Sequence, residues 1–338
     1  MAADRHALML LDSASLYFRA YYGVPDSVKA PDGTPVNAVR GLLDMIARLV
    51  TDHRPDRLVA CWDEDWRPAF RVAAIPSYKA HRVVGGADAA AAAAAGSGGT
   101  VAVEEVPDTL APQVPVIAEV LAALGIARAG AAGYEADDVI GTLTAREVAR
   151  PAGERSPVLV VTGDRDLFQL VDDEAPVRVL YTIRGIKDIE VVDAARLREK
   201  YAVASGPAYA DMAVLRGDPS DGLPGVPGIG EKTAASMLAR YGDLPALLAA
   251  RDSGDPGLTA TQRRRLLDAD AYLAVAPAVV RVAPDAPVEL ADVPGAPADP
   301  QAFDLPREPA DPEALVDLTA RWGLESSVRR LLTALANR

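Results

Sequence analysis

A chain of 338 residues, half of them hydrophobic, is long enough to bury one large core or two, which excludes disorder throughout. Its single cysteine, Cys61, excludes an internal disulfide, and three histidines, His6, His53 and His81, are too scattered for a zinc site. The formal net charge of -13 argues against a broadly basic surface for nucleic acid, but a site built to hold cations must itself be acidic, so the distribution of charge decides.

The amino terminus, MAADRHALMLLD, has too short an apolar run for a signal peptide, and no stretch nears the ~20 apolar residues of a membrane span. A soluble, cytoplasmic protein with no membrane contact is the expectation. Three short apolar runs then end abruptly in acid: HALMLLD at Asp12, RLVACWD at Asp63, and PVLVVTGDRD at Asp164 and Asp166. They read as buried strands. Between them, NAVRGLLDMIARLVTDH after Asn37 and PQVPVIAEVLAALGI carry a helical period, so strands alternate with helices as in a doubly wound parallel sheet. Ligands of such sheets bind beyond the carboxyl ends of the strands, and three strands here deliver carboxylates to that edge.

Residues 83–106, VVGGADAAAAAAAGSGGTVAVEEV, are low in complexity and read as a flexible insertion, with a passive linker as the plain alternative. In GYEADDVIGTL, Glu135, Asp137 and Asp138 open a helix, where Glu135 and Asp138 share a face and Asp137 projects elsewhere. Taken alone, that triplet is ordinary helix capping. Four separate segments presenting acids at element ends are another matter, because gathering so many like charges is prohibitive without cations. Hard oxygen ligands suit Mg²⁺ or Mn²⁺ rather than zinc, and two such ions about 4 Å apart can activate water against a phosphodiester without a side-chain nucleophile.

After about residue 195 the strand signal fades and helices dominate, which divides the chain into a catalytic domain over 1–195 and a helical domain over 196–338. Residues 284–312, rich in Pro, Asp and Ala, read as an irregular surface crossing. Within the helical part, DPSDGLPGVPGIGEKTAASML places a glycine-rich turn before a helix starting near Glu231. Backbone N–H groups there are a natural seat for a phosphate, and Lys232 adds charge.

Taken in order, LLDSASLYFRA, CWDEDWRPAFR, IPSYKAHR, GYEADDVIG, VTGDRDLFQL and LRGDPSDGLPGVPGIGEKTA resemble the bacterial 5′-nuclease (flap endonuclease) family, including the amino-terminal 5′–3′ exonuclease domain of DNA polymerase I. The match runs through nearly the whole chain, and with no polymerase after Arg338 it looks like a stand-alone member. The resemblance implies a PIN-like parallel sheet flanked by helices, followed by a helix–two-turn–helix (H3TH) DNA-binding region. It implies a hydrolase, a divalent-metal-dependent 5′–3′ exonuclease and flap endonuclease working in replication and repair. The implied substrates are 5′ flaps, 5′ ends and RNA-primer remnants, cut by a monomer.

Residue by residue, Asp12, Asp63, Glu135 and Asp137 match the acids around the family's first metal, and Asp138, Asp164, Asp166, Asp218 and Asp221 those around the second metal and its outer shell. Tyr78, Lys79 and Arg82 match the base of the helical arch, where a tyrosine can stack on a base and cations meet the reacting phosphate. Arg71 and Arg19 match further basic positions near the cleavage site. Gly225, Val226, Gly228, Ile229, Gly230, Lys232 and Thr233 match the module that grips the duplex backbone, commonly with a bound K⁺. Two features depart from the pattern: Ser13 follows Asp12 where relatives usually have glycine, and residues 83–106 are poor in the charge that an arch normally carries. A PIN-like ribonuclease and a catalytically inactive binding protein are the competing readings, and the H3TH match and the full set of acids weigh against them.

Overall fold

The computed structural model describes residues 7–83, 85, 106–291, 295, 296, 298 and 300–338. Of the 83–106 insertion only Val83, Gly85 and Val106 are among them, and the rest of that expectation lies outside the described residues.

The three acid-ended runs are strands: β1 (Leu8–Asp12), β2 (Arg57–Cys61) and β4 (Val158–Thr162), with β3 (Ala127–Gly130) between the last two in sequence. Their continuous hydrophobicity has a direct cause. Side chains alternate across a strand, so one buried on both faces must be apolar at every position. Leu8 and Leu10 enter one core with Val59 and Val160, while Met9 and Leu11 enter the other with Leu58, Ala60 and Val161. Three more strands, β5 (Val177–Tyr181), β6 (Glu190–Val192) and β7 (Glu289–Leu290), complete a seven-stranded sheet in the order β6-β5-β4-β1-β2-β3-β7.

The five central strands are parallel, as expected, but both edges are antiparallel. The sheet is therefore mixed. No local pattern points to β7, because two residues carry no period and the segment around them is rich in proline and alanine.

Helix α1 (Ser13–Gly23) follows β1 directly, capped by Asp12, and α2 (Asn37–His53) lays Val39, Leu42, Leu43, Ile46, Leu49 and Val50 on the second core. The short α3 (Ala69–Ala74) comes next, and α4 (Gln113–Leu124) joins α2 on the same face. On the other face lie α5 (Ala136–Val148), α6 (Ala194–Tyr201) and α7 (Gly206–Arg216). Helices α8 (Glu231–Tyr241), α9 (Leu244–Ser253), α10 (Ala260–Asp268) and α11 (Asp270–Val280) continue that core beyond residue 195 without a break.

Among the described residues, the last two helices do not pack with the other helices that follow residue 195. Helices α12 (Pro312–Trp322) and α13 (Glu325–Ala336) return to the first part of the chain, where Leu315, Val328, Leu331 and Leu335 pack with α2 and α4. Arg330 clamps Asp44 of α2 in a bidentate pair at 2.7 and 2.8 Å. An amphipathic helix needs an apolar partner, and the one it finds is 286 residues upstream at the Arg330–Asp44 pair, where no local pattern points. Among the described residues, no helix is long and apolar enough to cross a membrane.

Candidate active site

Four backbone ends converge on one edge of the sheet. Asp12 closes β1, Asp63 lies two residues beyond β2, Asp164 two beyond β4, and Glu135 and Asp137 cap and open α5. Together with Ala14, Ser15, Phe18, Trp66, Lys79, Arg82 and Gly163 they line a cavity of 250 Å³. Parallel strands make this unavoidable: their carboxyl ends share one edge, so acids spaced over 150 residues become neighbours.

Hydrogen bonds fix most of these carboxylates. Asp12 accepts from Ser15 N at 3.1 Å and from Thr162 Oγ1 at 2.6 Å, and Thr162 in turn accepts from Asp164 N at 2.8 Å. Asp63 accepts from Ala136 N at 2.7 Å, which ties the end of β2 to the first turn of α5. Ser15 Oγ accepts from Gly163 N at 2.9 Å and closes the loop between β1 and β4. Thr162 and Ser15 were missed in the sequence, although a hydroxyl placed just before GDRD is the available signal. Ser13 adopts ordinary negative-φ backbone, so the missing glycine costs nothing there.

The electrostatics follow from the crowding. Burial, then Asp63 and Asp164, push the Asp12 carboxyl up to about 7 against the relief that Thr162 and Ser15 provide. Burial and the facing Asp12, Asp164 and Glu135 push Asp137 well above the carboxylate range. Asp166 does not line the cavity but lies beyond Asp164, where burial and Asp164, Asp221 and Asp218 raise it in the same way. Two acidic groups thus share Asp164.

Among the described residues no three acids, histidines or cysteines are grouped so as to hold a metal ion as they stand. The oxygens line the walls instead, several of them held by hydrogen bonds and all of them repelling their neighbours. The chemistry of the donor set nevertheless suits a hard divalent cation: it is all carboxylate, and burial among like charges raises Asp12 and Asp137.

The base of the expected arch sits on this site differently from the expectation. Tyr78 is 4% exposed and donates its hydroxyl to Glu135 at 2.7 Å, so it supports the carboxylate and is not free to stack on a base. Lys79 reaches the other Glu135 oxygen at 2.6 Å. Burial pulls the pKa of that ammonium down, but Glu135, Tyr78 and Asp221 outweigh it and raise it overall. Arg82 pairs with Asp221 at 2.6 Å.

Arg71 and Asp138 turn away from the cavity toward each other, although Arg71 Nη1 stays 3.4 Å from Glu135 at the cavity wall. Their side chains are 3% and 0% exposed and form a bidentate pair at 2.6 and 2.7 Å, while Arg71 also donates to Val279 O and Asp138 accepts from Ala283 N at 2.8 Å. Neither reaches the cavity. They join α3, α5 and α11 from within, and the expectation that Glu135 and Asp138 share a face is corrected: Glu135 is the N-cap, with extended backbone at φ -84 and ψ 163, so the helical period starts after it, and Asp137 lines the cavity while Asp138 turns inward. Arg19 is also outside the cavity, donating to Ile183 O at 3.2 Å beside an adjoining groove of 930 Å³ that shares Ser15 and Phe18 with it.

The second half of the chain meets the site at residues 218–222. Asp218 caps a short turn by accepting from Ser220 N, Lys79 N donates to Asp221 O at 3.0 Å, and Ser77 Oγ donates to Gly222 O at 2.7 Å. Gly222 has φ +72, and a Cβ there would collide with the Ser77 carbonyl oxygen. We therefore expect Gly222→Ala to force the 77–82 segment off the acidic centre and lower kcat on the order of a hundredfold, with a much smaller effect on duplex affinity. Unchanged kcat would show that the contact positions nothing.

In the glycine-rich turn, Gly228, Gly230 and Lys232 are exposed and Thr233 is half-buried at the start of α8. Val226 and Ile229 are each 2% exposed and Gly225 is buried, so these three anchor the turn in the core and offer no surface for contact.

Family models agree with this layout. Residues 7–202 match the 5′-3′ exonuclease N-terminal resolvase-like domain, and residues 205–301 match the 5′-3′ exonuclease C-terminal SAM fold. A 5′-3′ exonuclease of Streptomyces coelicolor is 63% identical over 333 residues, covering 97% of this chain and 99% of that protein. DNA polymerase I of Mycobacterium bovis is 42% identical over 242 residues, which are 71% of this chain and 24% of that protein. Among solved structures, the flap endonuclease of bacteriophage T5, in a pseudo-enzyme–product complex with DNA and metal ions, superposes with a TM-score of 0.59 at 17% identity, covering 98% of this chain and 100% of that one. At that identity the superposition speaks for the fold.

Proposed function

We propose that this chain, which belongs to the 5′–3′ exonuclease family and is a nuclease, hydrolyses DNA phosphodiester bonds at 5′ ends and flap junctions with two Mg²⁺ or Mn²⁺ ions. Asp12, Asp63, Glu135, Asp137 and Asp164 would hold one; Asp164, Asp166, Asp218 and Asp221 would hold the other or its waters. The observation that carries this reading is the 250 Å³ cavity itself, whose walls carry five carboxylates and, among the described residues, only Lys79 and Arg82 as cations. When bound, such ions supply an acidified water and charge neutralisation at the scissile phosphate.

The chain's own groups do the placing. Thr162 and the α5 backbone aim Asp12 and Asp63, and Tyr78 and Lys79 hold Glu135. Lys79, locked in a left-handed backbone conformation at φ 48, presents its ammonium to phosphate oxygens, with Arg82 at the rim. Gly228, Gly230 and Lys232 would take duplex phosphates at the start of α8, with a K⁺ ion at the turn. We place the protein in the cytoplasm as a monomer that removes flaps and RNA-primer remnants during replication and repair.

A panel of 5′-flap DNA, nicked duplex, RNA–DNA hybrid and single-stranded RNA, each with Mg²⁺ and with Mn²⁺, tests this. Flap DNA should be cut fastest; preferential cutting of single-stranded RNA would overturn the reading.

The raised carboxyls add a pH signature. Asp12, about 7 when folded against 3.8 in the unfolded chain, keeps its proton only in the folded state between those values, so the metal-free protein loses stability as pH climbs through that window. Asp137 and Asp166 shift the same way. Divalent ions replace those protons. The rise in Tm caused by Mg²⁺ should therefore be larger at pH 8 than at pH 5.5, and equal rises would contradict the assignment.

A further inference from the structure

Arg216, the last residue of α7, has no part in the roles described so far, yet it stands between the two halves of the proposed machinery. Its Nη1 donates to Glu231 Oε2 at 3.1 Å, on the first residue of α8, and its Nη2 lies 3.8 Å from Asp218 Oδ2. Nε donates to Gly217 O at 3.1 Å. The side chain is 14% exposed, and Nη2 is buried with no hydrogen bond of its own. Beside it lies the buried Tyr209 hydroxyl, close enough to interact with the guanidinium, and Asp166 is near enough for its charge to act on it as well.

The backbone of residue 216 is fixed just as tightly. Its carbonyl packs so closely on Gly225, at φ +65, that any Cβ at 225 would collide with it, and Val226 N donates to Leu215 O at 2.9 Å. One residue therefore touches the glycine-rich turn with its main chain, the start of α8 with one arm of its fork, and the second acidic group with the other. One rigid, planar group thus faces both ends of the Asp218–Glu231 span, Glu231 through a hydrogen bond and Asp218 as an ion pair at 3.8 Å.

We propose that Arg216 is a positioning residue that sets the distance between the duplex-gripping end of α8 and the acidic centre, and so determines which phosphate is cut. This rests on the nuclease reading above. A lysine could keep the charge but not the two-armed link, and an uncharged residue keeps neither. The geometry asks for a fork.

The test uses the full chain and a 5′-end-labelled flap DNA that the wild type cuts, with product lengths resolved to the nucleotide. If the wild type cuts no flap, the nuclease reading fails and not this one. Arg216→Met is expected to spread cleavage over neighbouring phosphates and to lower the rate at the wild-type position by about ten- to a hundredfold, with duplex Kd nearly unchanged. Arg216→Lys should show the same spread, which guards against a folding defect in the methionine variant. Glu231→Gln should reproduce it too, and the double variant should be no worse than either single one, because the two side chains act through one contact. A single wild-type product at reduced rate in both Arg216 variants would overturn the proposal. So would a loss of duplex affinity large enough to account for the lost rate, or additive effects of Arg216→Met and Glu231→Gln.

Discussion

Asp137→Asn is expected to lower divalent-ion-supported cleavage at least about a thousandfold, equivalent to about 4 kcal/mol of barrier, while raising the Tm of the metal-free protein. The two effects share a cause. Asp137 faces Asp12, Asp164 and Glu135, so its negative charge costs stability in the empty site and attracts cations into it. Asparagine keeps the shape and removes the charge. The Tm gain should shrink as pH falls towards the 3.8 of the unfolded carboxyl, because a raised folded pKa costs stability only above that value. Flap-DNA binding measured without divalent ions should persist, because the duplex is gripped elsewhere. Retained cleavage would remove Asp137 from the metal set, and a lower metal-free Tm would show that its charge is compensated by something other than a cation.

Asp138→Ala should act in the opposite sense, destabilising the fold by about 3–5 kcal/mol, because it strands the Arg71 guanidinium in a core where it is 3% exposed. Glu135, 3.4 Å away, offers only partial compensation and is already shared with Lys79 and Tyr78. Replacing both partners, as Arg71→Met with Asp138→Leu, should recover most of the loss, since an apolar pair of similar volume leaves no unpaired charge. Chemical denaturation of the three variants measures this. The same experiment separates a structural from a metal-binding role: below the unfolding transition, Asp138→Ala should bind Mn²⁺ as the wild type does. A folded Asp138→Ala protein of undiminished stability with weakened Mn²⁺ binding would restore Asp138 to the metal site.

The contrast between Asp137 and Asp138 shows where reading the chain reaches its end. Both acids sit in one motif, and only the rotation of α5 against the sheet sends one into the cavity and the other onto Arg71. Tyr78 is a similar case. A tyrosine amid SYKAHR is legible as a site residue, but whether it meets a base or a carboxylate depends on how residues 77–82 lie against Asp221 and Gly222.

What the linear order of residues determined by itself was whatever rests on local pattern: three doubly buried strands, the acids that end them, the helices opened at Asn37, Glu135 and Glu231, and through these the family. The parallel arrangement then brings the acids together, since strands entering a sheet in the same direction must end at the same edge. Only the tertiary structure decided the rest. The antiparallel edge strands, the return of α12 and α13 to α2, the inward turn of Arg71 and Asp138, and the span from Asp218 to Glu231 through Arg216 all depend on contacts between distant segments. No short window of sequence carries that information, because those partners are selected by the shape and charge left over once the local elements have packed.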